Sequence, residues 1–172
     1  MDRNRFDQLY KSLRVVQDPD EFYWLLGLVE ALQPKAIIEL GVEAGGSLKF
    51  WEQLLPTGGL LVGVDLHPEN ITWDIAASDR SVCVVQGDSQ SPETVSKVGE
   101  LLQGCQVDFI FIDATHTPEA ARRDFGNYTP FLRPGGIVGF HDLADIMGFF
   151  GSLQGRKESV WHKIGTGVWF KP

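Results

Sequence analysis

The segment AIIELGVEAGGS, residues 36–47, constrains the fold of this chain more than any other. A short apolar run ends near Glu39, a glycine-rich turn follows at residues 41–46, and an amphipathic segment begins at Ser47. In α/β proteins, a strand, a glycine loop and a helix start in this order bring the backbone close to a nucleotide-like ligand. A carboxylate at Glu39 would repel a phosphate, but it can hold a cation or accept hydrogen bonds from an amino group. The motif therefore favours a positively charged nucleoside over a dinucleotide.

Short apolar runs and segments of helical length alternate through the rest of the chain. The runs that predict strands are residues 36–40, 60–65, 82–86, 107–112 and 137–140. The segments that predict helices are residues 47–55, 71–78, 92–102, 118–132 and 143–153. This alternation predicts a Rossmann-like, doubly wound α/β fold, with a mostly parallel sheet and helices on both faces. Two further runs, 159–164 and 168–170, flank a Gly-Thr-Gly turn and predict a C-terminal antiparallel hairpin strand.

Two helices are predicted before the first strand. Residues 3–16 carry apolar side chains at helical spacing, among them Phe6 and Tyr10. The sequence Asp18-Pro19-Asp20-Glu21 predicts an N-cap, a proline in the first helical position and a capping-box glutamate for the second helix.

The chain is long enough for one domain with a sizeable core, so we expect a single domain overall. Residues 1–34 form its N-terminal helices, which pack on or beside the core, and residues 35–172 form the ligand-binding part. The apolar faces of the N-terminal helices, which include Phe22 and Trp24, either cover the sheet or meet a second subunit in a homodimer. Both alternatives stay open at this point.

The composition excludes several classes of partner. A net charge of −8 disfavours electrostatic wrapping of DNA or RNA. No apolar stretch approaches the ~20 residues of a membrane span, and the N-terminus has no hydrophobic signal region. Cys83 and Cys105 have neither CxxC nor metal-ligand spacing. We therefore expect a cytoplasmic protein that binds neither nucleic acid nor membranes.

A polar residue follows each of the five predicted parallel strands, where ligands of open α/β sheets bind. These residues are Glu39, Asp65, Asp88 with Ser89, Asp113 with His116, and His141 with Asp142. Asp65 follows the glycine loop at a spacing typical of an acidic residue that accepts hydrogen bonds from ribose hydroxyls. Asp88 and Ser89 are suited to the edge of an adenine ring. Each residue alone can also be a helix cap or a turn residue.

The ordered set of motifs resembles the class I S-adenosylmethionine-dependent methyltransferases, and in particular the small O-methyltransferase branch with its catechol O-methyltransferase-like proteins. IIELGVEAGGS resembles the first motif of that family, GVDLHP the acidic second and GDSQ the third. DFIFIDATHTPEAARRDFGNYTPFLRPGGIVGFHDL resembles the fourth and fifth strands with the turn between them. The resemblance implies that residues 35–172 form a methyltransferase domain. It also implies transfer of a methyl group from S-adenosylmethionine to a small-molecule acceptor, with a hydroxyl group as the expected site.

The same resemblance implies a role for each polar residue. Those expected to bind the cofactor are Glu39, Gly41 and Ser47 around the methionine moiety, Asp65 at the ribose, Asp88 and Ser89 at the adenine, and Asp113 near the sulfonium and amino group. Metal-dependent members hold a divalent cation at positions that match Asp113, His141 and Asp142. His141 stands where an oxygen ligand is usual, which favours another first-row ion over magnesium.

Methyl transfer from a sulfonium is an in-line displacement, and a hydroxyl nucleophile must also lose its proton. His116 and His141 are the candidate general bases, and a metal that lowers the pKa of the hydroxyl is the alternative. Two other functions compete with methyl transfer. The first is a protein that binds S-adenosylmethionine without catalysis. The second is a nicotinamide-dependent oxidoreductase, against which Glu43 stands where a glycine is needed.

Overall fold

Seven strands form one sheet in the computed structural model, which describes residues 1–172. The strands are β1 Ala36–Leu40, β2 Leu60–Asp65, β3 Ser81–Gln86, β4 Val107–Ile112, β5 Leu132–Phe140, β6 Lys157–Val160 and β7 Thr166–Phe170. Their order in the sheet is β3-β2-β1-β4-β5-β7-β6. The first five strands are parallel, and β7 runs antiparallel to both β5 and β6. The predicted fold class is confirmed.

Six helices cover the two faces of this sheet. They are α1 Arg3–Ser12, α2 Pro19–Ala31, α3 Gly46–Leu54, α4 Pro92–Leu102, α5 Pro118–Tyr128 and α6 Leu143–Ser152. Along the strands, Ile38 and Ile110 pack with α4, α5 and α6, whereas Ile37 and Phe109 pack with α1, α2 and α3. Because helices cover both faces, the central strands are apolar on both sides. None of the helices is both long and apolar enough to span a lipid bilayer.

The N-terminal helices are part of the hydrophobic core. Phe6 and Phe22 are buried, and the rings of Phe6 and Phe50 lie 5.1 Å apart between centroids. Phe22 contacts Trp51 edge-on at 5.2 Å. The apolar faces of α1 and α2 therefore cover the sheet, which was the first of the two predicted alternatives.

The first helix is shorter than predicted. It ends at Ser12 instead of continuing to residue 16, because the chain turns into an extended conformation that long-range contacts hold. The hydroxyl of Tyr10 donates to the carbonyl of Gln17 at 2.7 Å. The carbonyl of Arg14 lies against Gly46, where an added Cβ would come within 2.0 Å of it. Residues 13–17 therefore run across the glycine loop.

The predicted helix at residues 71–78 is wrong. Two 3₁₀ turns stand there, Pro68–Asn70 and Ile75–Ala77. The side chain of Asp74 accepts a hydrogen bond from the backbone N–H of Ala76 at 3.0 Å. Such local bonds compete with helix formation, which is why aspartate favours turns and caps over helix interiors.

The C-terminal hairpin turns earlier than predicted, and Glu21 is the reason. Asp18 caps α2 as predicted, but Glu21 does not complete a capping box. Its carboxylate is buried and accepts hydrogen bonds from three backbone N–H groups and one hydroxyl of the hairpin, those of His162, Lys163, Gly165 and Thr166. The turn therefore lies at residues 161–165, β6 ends at Val160, and the Thr-Gly pair belongs to β7.

Two other predicted bounds move. β5 begins at Leu132 instead of residue 137, and α5 ends at Tyr128 instead of residue 132. A 3₁₀ turn, Thr129–Phe131, fills the gap between them. A proline inside this turn cannot donate a backbone hydrogen bond, so the α-helix does not continue through it.

Candidate functional site

A cleft of about 540 Å³ lies at the carboxyl ends of the parallel strands, within the range of volumes that small-molecule sites occupy. Of the predicted site residues, those that line it are Gly41, Ser47, Asp65, Asp88, Ser89, Asp113, His116, His141 and Asp142. Four of the five strand ends therefore deliver their predicted polar residues to one cavity. Glu39, the polar residue of β1, is the exception.

Glu39 is fully buried on β1 and does not line the cleft. It faces the same side of the sheet as Ile37, toward the core of the N-terminal helices. Its carboxylate oxygens make no hydrogen bond of ordinary geometry, and Ser47 and Trp51 are the side-chain donors that act on them. Burial raises the pKa of Glu39 well above its ordinary value; the donors Ser47 and Trp51 oppose that rise, and the negative charges of Asp113 and Asp65 add to it. The structure thus places Glu39 behind the lining of the cleft, and its contact with the methionine moiety stays a prediction.

Gly41 lets the ends of two strands approach each other. Its φ is +83°, and an added Cβ would lie 2.1 Å from the carbonyl oxygen of Asp113. Its N–H donates to the carbonyl of Val64 at 2.9 Å. A side chain at this position would therefore push β4 and its aspartate away from the loop.

Asp65 holds the glycine loop in shape. Its Oδ2 accepts hydrogen bonds from the backbone N–H of Val42 at 2.7 Å and of Glu43 at 2.9 Å, and its Oδ1 accepts from that of His67 at 2.7 Å. A carboxylate offers about four lone-pair sites, so Asp65 keeps capacity for a ligand hydroxyl. The residue expected at a ribose thus also fixes the loop beside it.

Four charged or titratable side chains meet beyond the ends of β4 and β5. The Nδ1 of His141 lies 3.0 Å from Asp113 Oδ1 and 3.2 Å from Asp142 Oδ1. The Nδ1 of His116 lies 2.5 Å from Asp142 Oδ2. Asp142 has a left-handed backbone with φ of 50°, a conformation that aspartate tolerates better than most residues and that often marks a functional turn. We refer to these four residues as the acid–histidine cluster.

The two histidines of this cluster differ in burial and charge. Burial lowers the pKa of His141, but hydrogen bonds to Asp113 and Asp142 outweigh it and raise that pKa to about 10. The hydrogen bond to Asp142 also raises the pKa of His116. Burial raises the pKa of Asp142, but hydrogen bonds from both histidines outweigh burial and keep that pKa below its ordinary value. His141 is thus a buried cation between two carboxylates, whereas His116 keeps 47% of its side chain exposed.

The chain matches a known protein family over more than half of its length. Residues 38–143 fit the model of a family described as a methyltransferase domain. The chain belongs to this family. The match runs from within β1 to the first residue of α6 and thereby confirms the resemblance on which the sequence analysis relied.

Relatives of this methyltransferase domain include longer proteins. The 8-demethyl-8-(2-methoxy-alpha-L-rhamnosyl)-tetracenomycin-C 3'-O-methyltransferase of Streptomyces olivaceus is 27% identical over 135 residues, which are 73% of this chain and 33% of the relative. Tapetum-specific methyltransferase 1 of Arabidopsis thaliana is 28% identical over 168 residues, 89% of this chain and 64% of the relative. The chain therefore spans less than two thirds of the length of these relatives.

The fold is also found among solved structures. The O-methyltransferase from Bacillus cereus, crystallised in complex with SAH, superposes with a TM-score of 0.72 at 17% identity. The superposition covers 98% of this chain and 90% of that one. At such an identity the similarity shows a shared fold.

Gln17 is a residue of the cleft that the sequence analysis missed. It is 3% exposed, its side-chain amide donates to Asp113 Oδ2, and its Oε1 is buried without a partner. The residues up to 16 were predicted to belong to the first helix. The sequence held no signal for Gln17, because its position follows from the packing of residues 13–17 across the glycine loop.

Asp124 lies behind the cleft in the methyltransferase domain and was also missed. It is fully buried on α5 and accepts a hydrogen bond from Ser89 Oγ at 2.8 Å. Burial raises the pKa of Asp124 to about 6. Its neighbour Tyr128 donates to the carbonyl of Ser89 at 3.0 Å. Both side chains project from a helix whose charged sequence gave no sign that they are buried.

Proposed function

We propose that this chain transfers a methyl group from S-adenosylmethionine to a hydroxyl group of a small-molecule acceptor. The observation that carries the proposal is one cleft that joins the glycine loop and Asp65 to the acid–histidine cluster. Membership of the methyltransferase-domain family supports it. So does the relative from Streptomyces olivaceus, which is named as an O-methyltransferase.

The residues of the cleft fit S-adenosylmethionine, which supplies an electrophilic methyl group on its sulfonium sulfur when bound. The loop around Gly41 and Ser47 leaves the backbone open to a methionine moiety, and Asp65 is placed for the ribose hydroxyls. Asp88 and Ser89 lie at the adenine end, and Asp113 faces the cationic centre. Carboxylates along the cleft attract a positively charged ligand. Glu39 lies buried behind this loop, and its contact with the methionine moiety is part of the proposal.

His116 is the side chain that we assign as general base. Asp142 holds its Nδ1, so Nε2 is the nitrogen left to accept the proton of the acceptor hydroxyl. A carboxylate that orients an imidazole in this way is the arrangement of many acid–base sites. His141 is buried and bonded to two carboxylates, and we assign it the task of holding Asp113 and Asp142 together. The remaining rate enhancement comes from alignment of the acceptor oxygen with the methyl group.

A divalent metal ion is the alternative to a histidine base. One ligand atom from each of Asp113, His141 and Asp142 lies within 4.8 Å of the others, which fits a single ion. Two carboxylates and one imidazole suit magnesium less well than a softer first-row ion. Such an ion would lower the pKa of the acceptor hydroxyl.

Formation of S-adenosylhomocysteine from S-adenosylmethionine, measured with a panel of phenols and hydroxylated glycosides, tests the proposal. With an acceptor that turns over, His116→Ala should lower the rate by ~10²–10⁴-fold, because the base is lost. Binding of S-adenosylhomocysteine should stay near the native affinity. His162→Ala is the matched control, since this exposed histidine lies outside the cleft, and its rate should not change.

Other outcomes of this assay favour the competing functions. Full activity of His116→Ala, together with loss of turnover on addition of a chelator, would assign the proton removal to a metal. Binding of S-adenosylhomocysteine without turnover of any acceptor would favour a protein that binds the cofactor without catalysis.

We also propose a cytoplasmic location and a homodimer. Cys83 and Cys105 are both unpaired, which is typical of a reducing compartment. Tyr10 and Trp24 remain partly exposed on the N-terminal helices and offer a second subunit an apolar contact. Light scattering at high protein concentration should give a mass near twice that of one chain. The mass of a single chain would contradict the dimer.

A further inference from the structure

Two side chains of α5 hold the loop after β3 in place, and both of them bond to Ser89. Ser89 lines the cleft and is 7% exposed. Its carbonyl accepts a hydrogen bond from the hydroxyl of Tyr128, and its own hydroxyl donates to Asp124 Oδ1 at 2.8 Å. Asp124 and Tyr128 are both fully buried. Two of the polar groups of Ser89 are thus engaged by the protein before any ligand binds.

The contact with Asp124 determines which hydrogen bonds Ser89 can still make. A hydroxyl has one proton to donate and two lone pairs that accept, whereas an ionised carboxylate only accepts. Ser89 must therefore give its proton to Asp124, and only lone pairs remain for a ligand. The charge of Asp88 also acts on Asp124. When ionised, the Asp88 side chain is likewise a hydrogen-bond acceptor. The side chains at this end of the cleft consequently offer acceptors.

We propose that Asp124 is a positioning residue that keeps Ser89 a hydrogen-bond acceptor and so selects a 6-aminopurine over a 6-oxopurine. The inference rests on the proposed function, which places the adenine ring at Asp88 and Ser89. The exocyclic amino group of adenine donates to such an acceptor. The oxo group of hypoxanthine has lone pairs but no proton, so it cannot form a hydrogen bond with a lone pair of Ser89. A ligand that leaves polar groups of a site unpaired binds much more weakly.

Calorimetric titrations with S-adenosylhomocysteine and S-inosylhomocysteine, which carries the 6-oxo group, test this selection. They are made at pH 8, where the Asp124 carboxylate is ionised, since its pKa is about 6. The native chain should bind the amino form at least about tenfold more tightly, the effect of one misplaced hydrogen bond. In Asp124→Ala the hydroxyl of Ser89 is free to rotate and donate to the oxo group. The ratio of the two affinities should then fall to about threefold or less.

A matched control separates selection from general damage to the loop. Ser91→Ala removes the hydroxyl that caps α4, which accepts from the N–H of Thr94 at 3.1 Å and does not line the cleft. This variant should lose stability and keep the native ratio of affinities. If circular dichroism shows that Asp124→Ala does not fold, Ser89→Ala replaces it. That variant removes the acceptor itself, so its ratio should fall through weaker binding of the amino form.

The outcomes separate this inference from the function on which it rests. A folded Asp124→Ala or Ser89→Ala variant that keeps the native ratio overturns the inference, and so does a native chain that binds both ligands equally. Binding of neither ligand by the native chain contradicts the proposed function itself.

Discussion

Asp124 makes the stability of the fold depend on pH in a direction that can be worked out from its burial. Its pKa rises from an ordinary value of 3.8 to about 6 in the folded chain. Between these values the native state binds more protons than the unfolded state, so the free energy of unfolding falls as pH rises. Above its folded-state pKa, Asp124 is ionised while buried, and this lowers the free energy of unfolding by the full cost of burying the charge.

Asp124→Asn should remove this cost, because the amide is neutral and its oxygen can still accept from Ser89. We expect the free energy of unfolding to rise by about 1–3 kcal/mol at pH 8, and the gain to shrink toward about pH 4. Urea denaturation at a series of pH values measures it. Asp145→Asn, at an exposed position of α6, is the control and should have little effect. A gain of the same size at every pH would contradict the account of Asp124.

Gly41 is the residue on which the close approach of β1 and β4 depends. Gly41→Ala places a Cβ 2.1 Å from the carbonyl oxygen of Asp113 at a φ of +83°. Its free energy of unfolding should fall by more than about 2 kcal/mol, because both the contact and the backbone are strained. Gly27→Ala is the opposite control. It adds a methyl group to open space on α2 and should raise the stability by about 0.5–1 kcal/mol.

Urea denaturation of these two variants compares a glycine that the site requires with one that it does not. Equal effects of both substitutions would mean that the glycine loop tolerates a side chain, and that Asp113 does not depend on it.

Elements that local sequence determines were predictable, and those that distant contacts determine were not. The strands β1, β2 and β4 and the helix α4 match their predicted bounds, because apolar runs and proline caps define them locally. The end of α1 depends instead on the approach of the Arg14 carbonyl to Gly46, about thirty positions away in sequence. The hairpin turn depends on Glu21, a residue more than a hundred positions away in sequence. Neither contact leaves a periodic signal in the chain.

The residues of the candidate site also divide into those that local sequence predicts and those that it does not. Residues at strand ends were predictable, since parallel strands bring their carboxyl ends to one edge. Glu39 departs from this rule because it lies inside β1, one residue before the strand end, where the surrounding protein covers it completely. Gln17 and Asp124 reach the site from a connecting segment and from a helix. Their positions follow from tertiary packing, which the strand pattern does not describe.

The central claim is that this cleft binds S-adenosylmethionine and its product, and a calorimetric titration with S-adenosylhomocysteine and with NAD tests it most directly. We expect micromolar-range binding of S-adenosylhomocysteine and no binding of NAD. Asp65→Ala should weaken that binding by about tenfold or more, since it removes a charge-assisted hydrogen bond to the ribose and frees the glycine loop. Tight binding of NAD without binding of S-adenosylhomocysteine would contradict the account.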